Sequence, residues 1–241
     1  MGQLNVEIKA RCNDGGDFAY QTLLDKCAEV KGVDHQTDVY FNVPNGRLKL
    51  RTGNIEHALV YYRRDNQTGP KESQVFLQHF KEPTDQLVEL LKEAYGILTV
   101  VQKERTIMYI DNVKFHIDRV VGLGEFVEIE AIGKEGEEKK LENQCQAYRS
   151  ILKIEPSDLI ACSYSDLLIE QEQFKNCLVT LARRAGRSYI TPEDVSEALV
   201  SQPPVRVRKD LLEVLGGQGG EGVYAEDASL CSFLAWKGVE R

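Results

Sequence analysis

Asn5-Val6-Glu7-Ile8-Lys9-Ala10-Arg11 is the stretch whose reading decides the fold. In an extended strand successive side chains point to opposite faces. Asn5, Glu7, Lys9 and Arg11 therefore share one face, and Val6, Ile8 and Ala10 share the other. Alone, this is an ordinary strand with its polar side in water. It becomes something else if other strands repeat the arrangement.

They do. Arg47, Lys49 and Arg51 alternate with Leu48 and Leu50, and Lys103 and Arg105 share a face. Lys114, His116 and Asp118 are backed by Phe115 and Ile117, and Glu128 and Glu130 by Val127, Ile129 and Ala131. Arg63 lies in phase with Tyr61 and Leu59. Residues two apart on a strand are ~6.7 Å from each other. At an effective dielectric of 20, each pair of like charges then repels by roughly 2.5 kcal/mol. An enclosed cationic face needs anions. Clustered Arg and Lys suit phosphoryl oxygens, and clustered carboxylates suit hard divalent ions such as Mg²⁺ or Mn²⁺. If the sheet curls on itself, its charged face lies inside and its apolar face packs against helices.

The rest of the 241 residues fits an α+β domain built on one large antiparallel sheet. Strand-like runs fall at 37–43, 47–52, 58–64, 73–80, 100–110, 113–120 and 125–131, with Asn45-Gly46 marking a hairpin. Helical spacing predicts helices over 18–30, 84–95 and 135–154. The character changes near Glu170, which sets two regions: 1–170, and a small helical C-terminal extension over 171–241. In the extension, 174–185 reads as a helix, Thr191-Pro192-Glu193-Asp194 opens another, and 216–222 is a glycine-rich linker. Arg187 to Val195 resembles the last loop and helix of a histone-type fold, without an evident long central helix.

Net charge is −8, which disfavours nucleic acid as a partner and makes local cation clusters informative. Six scattered cysteines give no disulfide framework or C-x-x-C pair, the N-terminus lacks a signal-peptide pattern, and no apolar run reaches spanning length. A reducing, cytoplasmic setting without membrane contact is the expectation.

Several of these stretches resemble one family. Asn5-Val6-Glu7-Ile8-Lys9 is similar to the Glu-x-Glu-x-Lys signature of the CYTH family, the triphosphate tunnel enzymes. Thr37-Asp38-Val39-Tyr40-Phe41, Gly46 to Arg51, Lys103-Glu104-Arg105, His116 to Gly124 and Phe126 to Glu130 also look like it, in family order. Ser163 to Leu168 resembles the closing segment of the class IV adenylate cyclase-like branch. The resemblance implies a closed eight-stranded antiparallel tunnel, with flanking helices, that binds a small triphosphate-containing molecule (ATP, inorganic triphosphate or similar) with one or two divalent metals. It implies phosphate contacts from Lys9, Arg47, Lys49, Arg51, Arg63, Lys103 and Arg105, and metal on Glu7, Asp118, Glu128 and Glu130; Arg11 and Lys114, which share the charged strand faces with Lys9 and His116, are further candidate substrate contacts. Glu7, Lys9 and Arg105, together with His116, whose ordinary titration range suits proton transfer, are the candidate catalytic groups. Two positions depart from the pattern. Asn5 replaces the first signature glutamate, and Ser163 and Tyr164 stand where triphosphatase members often carry a lysine.

The expected chemistry is in-line displacement at phosphorus. Water as nucleophile gives a triphosphatase that releases orthophosphate; a ribose hydroxyl attacking the α-phosphate gives a cyclase that makes cyclic AMP and pyrophosphate. A triphosphate- or polyphosphate-binding module without turnover is the reading from another class, and a homodimer is an open expectation.

Overall fold

The computed structural model describes residues 3–12, 14–81, 85–201 and 223–224. The chain divides into two units, Met1–Val121 with Glu125–Ser165, and Gly122–Gly124 with Asp166–Arg241.

The first unit is a closed antiparallel barrel with strand order β1-β5-β4-β3-β2-β6-β7-β8. Its strands are β1 (Gln3–Arg11), β2 (Glu29–Phe41), β3 (Arg47–Thr52), β4 (Ala58–Arg63), β5 (Lys71–His79), β6 (Ile97–Ile110), β7 (Val113–Val120) and β8 (Gly124–Gly133). The ring closes where β1 pairs with both β5 and β8; Glu7 stands opposite Lys71 on one side and Glu130 on the other.

Closure inverts the usual barrel. Val6, Ile8, Ala10, Phe115, Val127, Ile129 and Ala131 point outward and pack on α1 (Asp17–Asp25) and α3 (Glu138–Ile151) through Ala19, Leu23, Leu141 and Cys145. A second outer core forms where α2 (Asp85–Tyr95) lays Leu91 against Phe41 and Leu50, with Leu48 and Leu59 beside them. The polar phase of the strands is left facing inward.

Two helices end earlier than the sequence spacing predicts. α1 stops at Asp25, and Cys27, at φ 59, turns the chain so that residues 29–36 enter β2. Val30, counted into the helix by spacing, is instead on β2 and exposed. α3 spans Glu138–Ile151 within the longer predicted run.

The second unit contains α4 (Tyr164–Arg184), which begins at the end of the first unit, β9 (Tyr189–Ile190), α5 (Pro192–Ser201) and β10 (Val223–Tyr224), which pairs with β9. At 21 residues, α4 is longer than the predicted 174–185. Arg187 grips Asp194 in a two-point ion pair at 2.8 and 2.7 Å, and Asp194 accepts the Thr191 N–H at 2.8 Å, closing the first turn of α5. The predicted linker over 216–222 lies outside the described residues. Among the described residues, no helix is long and apolar enough to cross a membrane.

Candidate active site

The inward faces enclose a cavity of ≈ 310 Å³. Asn5, Glu7 and Lys9 face it from β1, Asp38 and Tyr40 from β2, and Lys49 and Arg51 from β3. Lys103, Arg105 and Tyr109 line it from β6, Lys114 and His116 from β7, and Glu128 and Glu130 from β8. Period-two alternation on a closed sheet is what brings these residues together.

Two charge networks fill this interior. In the first, a single carboxylate serves three cations: Asp38 accepts from Lys49 at 2.8 Å, Lys103 at 2.7 Å and Arg51 at 2.8 and 3.0 Å. Burial alone would raise the Asp38 pKa; Arg51, Lys103 and Lys49 outweigh it and hold the carboxyl well below its usual range. Burial pulls Lys103 down to about 7 despite Asp38, because Arg51, Arg105 and Lys49 crowd it. One anion cannot neutralise three cations. Beside this cluster, Glu56 joins Arg51 at 2.9 Å and Lys114 at 2.5 Å.

In the second network, Arg105 spans Asp118 at 2.6 and 2.5 Å and Glu128 at 2.8 Å. Glu128 also meets Lys9 at 2.7 Å and His116 Nδ1 at 3.0 Å. Tyr164 donates to Asp118 at 2.7 Å and stacks its ring under the Lys9 ammonium, 3.6 Å from the centroid. His116 is driven below its ordinary pKa by burial and by Arg105, against the pull of Glu128. Its buried Nε2 has no hydrogen-bond partner.

Most of the predicted phosphate and metal residues line this cavity; three cations do not. Arg63 is exposed on the outer face and donates to the Tyr61 hydroxyl at 3.0 Å. The expectation of Arg63 inside is corrected: its phase-mate Leu59 packs under α2, so Ala58, Val60, Tyr62 and, just past the strand, Arg64 face inward. Arg64 pairs with Glu7, and its buried Nε and Nη2 have no hydrogen-bond partner. Arg47 is held at the end of β3 by the Arg64 carbonyl and Asn66. Arg11 lies against Phe126, 5.1 Å from the ring centroid.

The sequence reading also missed Asp38, Glu56 and Lys71 as interior charges. Lys71 is fully enclosed, donates to the Ile160 carbonyl at 2.7 Å, and is lowered to about 8, chiefly by burial. Asp38 stood inside a quoted motif, but an acid among cations gave no signal of which face it took. Glu56 lies in the β3–β4 turn, where strand periodicity does not apply.

The four carboxylates expected to hold metal are not gathered as one set; among the described residues, no group of three or more is arranged to hold an ion. Asp118 has both oxygens engaged by Arg105 and Tyr164 and does not line the cavity. Glu7, Glu128 and Glu130 share the interior of β1 and β8, with Glu7 directly opposite Glu130. As hard oxygen donors these three fit a divalent cation chemically. Asn5 modifies that set, since its amide donates to Glu130 at 2.6 Å where the family signature has an acid.

A closed antiparallel sheet with buried cations and carboxylates inside and helices outside defines a tunnel-type domain. The CYTH domain model matches residues 3–164, and the chain belongs to that family, whose triphosphate tunnel enzymes use divalent metal ions. Among solved structures, the PH1012 protein of Pyrococcus horikoshii OT3 is 25% identical with a TM-score of 0.59, over 67% of this chain and 98% of that one. A Pyrococcus furiosus protein is 24% identical with a TM-score of 0.59, over 67% and 98%. A Vibrio parahaemolyticus protein put forward as an adenylate cyclase is 18% identical with a TM-score of 0.58, over 70% and 99%, a likeness of fold alone. No curated protein matches the chain.

Proposed function

We propose that the protein is a divalent-metal-dependent phosphoryl-transfer enzyme that hydrolyses a triphosphate and releases orthophosphate. The observation that carries this reading is the convergence of Lys49, Arg51 and Lys103 on the single buried carboxylate of Asp38. Three cations sharing one anion are under-neutralised, and a triphosphate supplies several anionic oxygens at the spacing Asp38 cannot.

Each group then has a task. Lys49, Arg51, Lys103 and Lys114 grip phosphoryl oxygens from β3, β6 and β7, and Arg64 adds its unpartnered Nε and Nη2 from just past the end of β4. Lys9 and Arg105, held by Glu128 and Asp118, offset charge developing on the transferred group. Asp118 acts by fixing the Arg105 guanidinium. Glu7, Glu128 and Glu130 are the groups that would hold Mg²⁺ or Mn²⁺, which when bound shields the phosphoryl charge. His116 lines the cavity with Nδ1 on Glu128, and its unpartnered Nε2 is the hydrogen-bonding site for the attacking oxygen.

The test is product analysis with the full chain, Mg²⁺ or Mn²⁺, and ATP, inorganic tripolyphosphate or thiamine triphosphate. Orthophosphate release, largely lost in Glu130→Gln, is expected. Cyclic AMP with pyrophosphate from ATP would replace the hydrolase by a cyclase. Tight binding without any product would leave a binding module.

A further inference from the structure

The pairing of β5 with β1 runs only as far as Glu7, opposite Lys71, and leaves the last residues of β1 an open edge. Residues 159–160 take that edge. Leu159 bridges Ala10, the Ile160 N–H donates to the Lys9 carbonyl at 2.8 Å, and the Ile160 carbonyl accepts the buried Lys71 ammonium at 2.7 Å. Lys71 does not line the cavity; it ties this segment down. Further along the same segment Ser163 and Tyr164, both buried, line the cavity.

We propose that Tyr164 is a positioning residue for Lys9 and Arg105, the two cations assigned above to the transferred phosphoryl group. The inference rests on the phosphoryl-transfer reading and deepens it. One side chain reaches both cations, by different means. Its hydroxyl donates to Asp118 at 2.7 Å, and Asp118 holds the Arg105 guanidinium at 2.6 and 2.5 Å. Its ring lies 3.6 Å from the Lys9 ammonium, measured to the centroid, while Glu128 pairs with that ammonium at 2.7 Å. The ring is itself set by Phe126, 4.9 Å away and tilted at 55°.

The chemistry of a phenol suits the task. An aromatic face attracts a cation without adding a negative charge, so Lys9 is held and keeps its charge for the ligand. The hydroxyl is a neutral donor, so it anchors Asp118 without bringing a second cation onto that carboxylate. Burial, with Asp118 and Glu128 nearby, pushes the phenol well above its usual pKa and keeps the proton on it. Charges that stabilise a transition state work best when they are already in place, and Lys and Arg are the side chains with most rotamer freedom to lose.

The test is steady-state product formation by the full chain with Mg²⁺ or Mn²⁺, on whichever of ATP, inorganic tripolyphosphate or thiamine triphosphate is turned over. Tyr164→Phe keeps the ring and removes the hydroxyl, and should lower kcat by about tenfold, the worth of one hydrogen bond to a charged group. Tyr164→Leu removes both and should lower kcat by about a hundredfold. KM should stay within about threefold in each, since Lys49, Arg51 and Lys103 are held by Asp38. Phe115→Leu, in the outer core against Tyr148, reads stability loss alone: a lower melting temperature with kcat within about twofold of wild type. A Tyr164→Phe kcat within about twofold of wild type overturns the inference and leaves the phosphoryl-transfer reading standing. So do losses carried by KM in the Tyr164 variants, or a Phe115→Leu kcat as low as that of Tyr164→Phe. Absence of product from the wild type with all three compounds overturns both.

Discussion

Arg63 and Arg64 are neighbours with opposite fates. Arg63 is exposed on the outer face, while Arg64 is buried against Glu7. Replacing Arg64 by Met should weaken triphosphate binding by about tenfold or more, because a charged donor in an enclosed site is lost. Arg63→Ala should leave affinity within about twofold, since its partner is Tyr61 on the outside. Equal effects in a fluorescence or calorimetric titration would refute the assigned phase. This was illegible in the sequence for a physical reason. Both phases of β4 are apolar, Ala58-Val60-Tyr62 against Leu59-Tyr61, so alternation cannot say which one faces in. On β1 and β8 the phases differ sharply, and there the inward face read from sequence is the observed one. Lys103 supports a second prediction at this scale. With Asp38 from β2, Lys49 and Arg51 from β3 and Arg105 along β6 around it, its pKa is pulled to about 7. A bound triphosphate adds negative charge and favours the ammonium. At pH 8 the free side chain is mostly neutral and takes up a proton on binding; at pH 6 it is already charged and takes up none. Calorimetry in buffers of different ionisation enthalpy should show this uptake at pH 8, and Lys103→Met should reduce it, leaving the part that Lys71, lowered to about 8, contributes.

At the scale of elements, the turn between β3 and β4 is built by one buried side chain. Asp34 on β2 accepts the N–H groups of Asn54 at 2.7 Å, Ile55 at 2.9 Å and Glu56 at 3.0 Å, and the Gln36 amide at 2.7 Å. Gly53 lets the turn come this close, since a Cβ there would sit 2.4 Å from the Asp34 carboxylate. The turn in turn aims Glu56 into the cavity toward Arg51 and Lys114. Asp34→Ala leaves three N–H groups without their acceptor and should cost about 3 kcal/mol of stability, read as a lowered urea midpoint. Such turns lie beyond strand alternation, so neither Asp34 nor Glu56 was legible as a positioning group. The end of α1 was hidden for a related reason. Helical spacing carries through Val30, but Cys27 adopts the left-handed conformation that ends the helix, and a lone cysteine does not announce it. The hairpin at Asn45-Gly46 was legible, because its glycine takes φ 66 where a Cβ would meet the Tyr62 carbonyl at 2.7 Å.

For the molecule as a whole, the net charge of −8 conceals an interior of the opposite sign. Seven Lys and Arg residues and five Asp and Glu residues line the cavity. Without ligand, the chain's own carboxylates hold these cations, and Asp38 holds more of them than any one acid can neutralise. Free-state stability and ligand affinity are therefore opposed at Asp38. In Asp38→Asn the free protein keeps Lys49, Arg51 and Lys103 buried without their anion, a loss of about 3–5 kcal/mol by analogy with other broken buried pairs. The triphosphate-bound protein regains an anion there, so part of that loss returns as binding energy. Ligand that binds only the folded state at one hundred times its dissociation constant adds about 2.7 kcal/mol of stability. The expected signature in thermal unfolding is thus a variant with a lower melting temperature than wild type when free and a larger rise on adding ATP or tripolyphosphate. A rise smaller than that of the wild type would mean that Asp38 organises the cations for the ligand instead of competing with it.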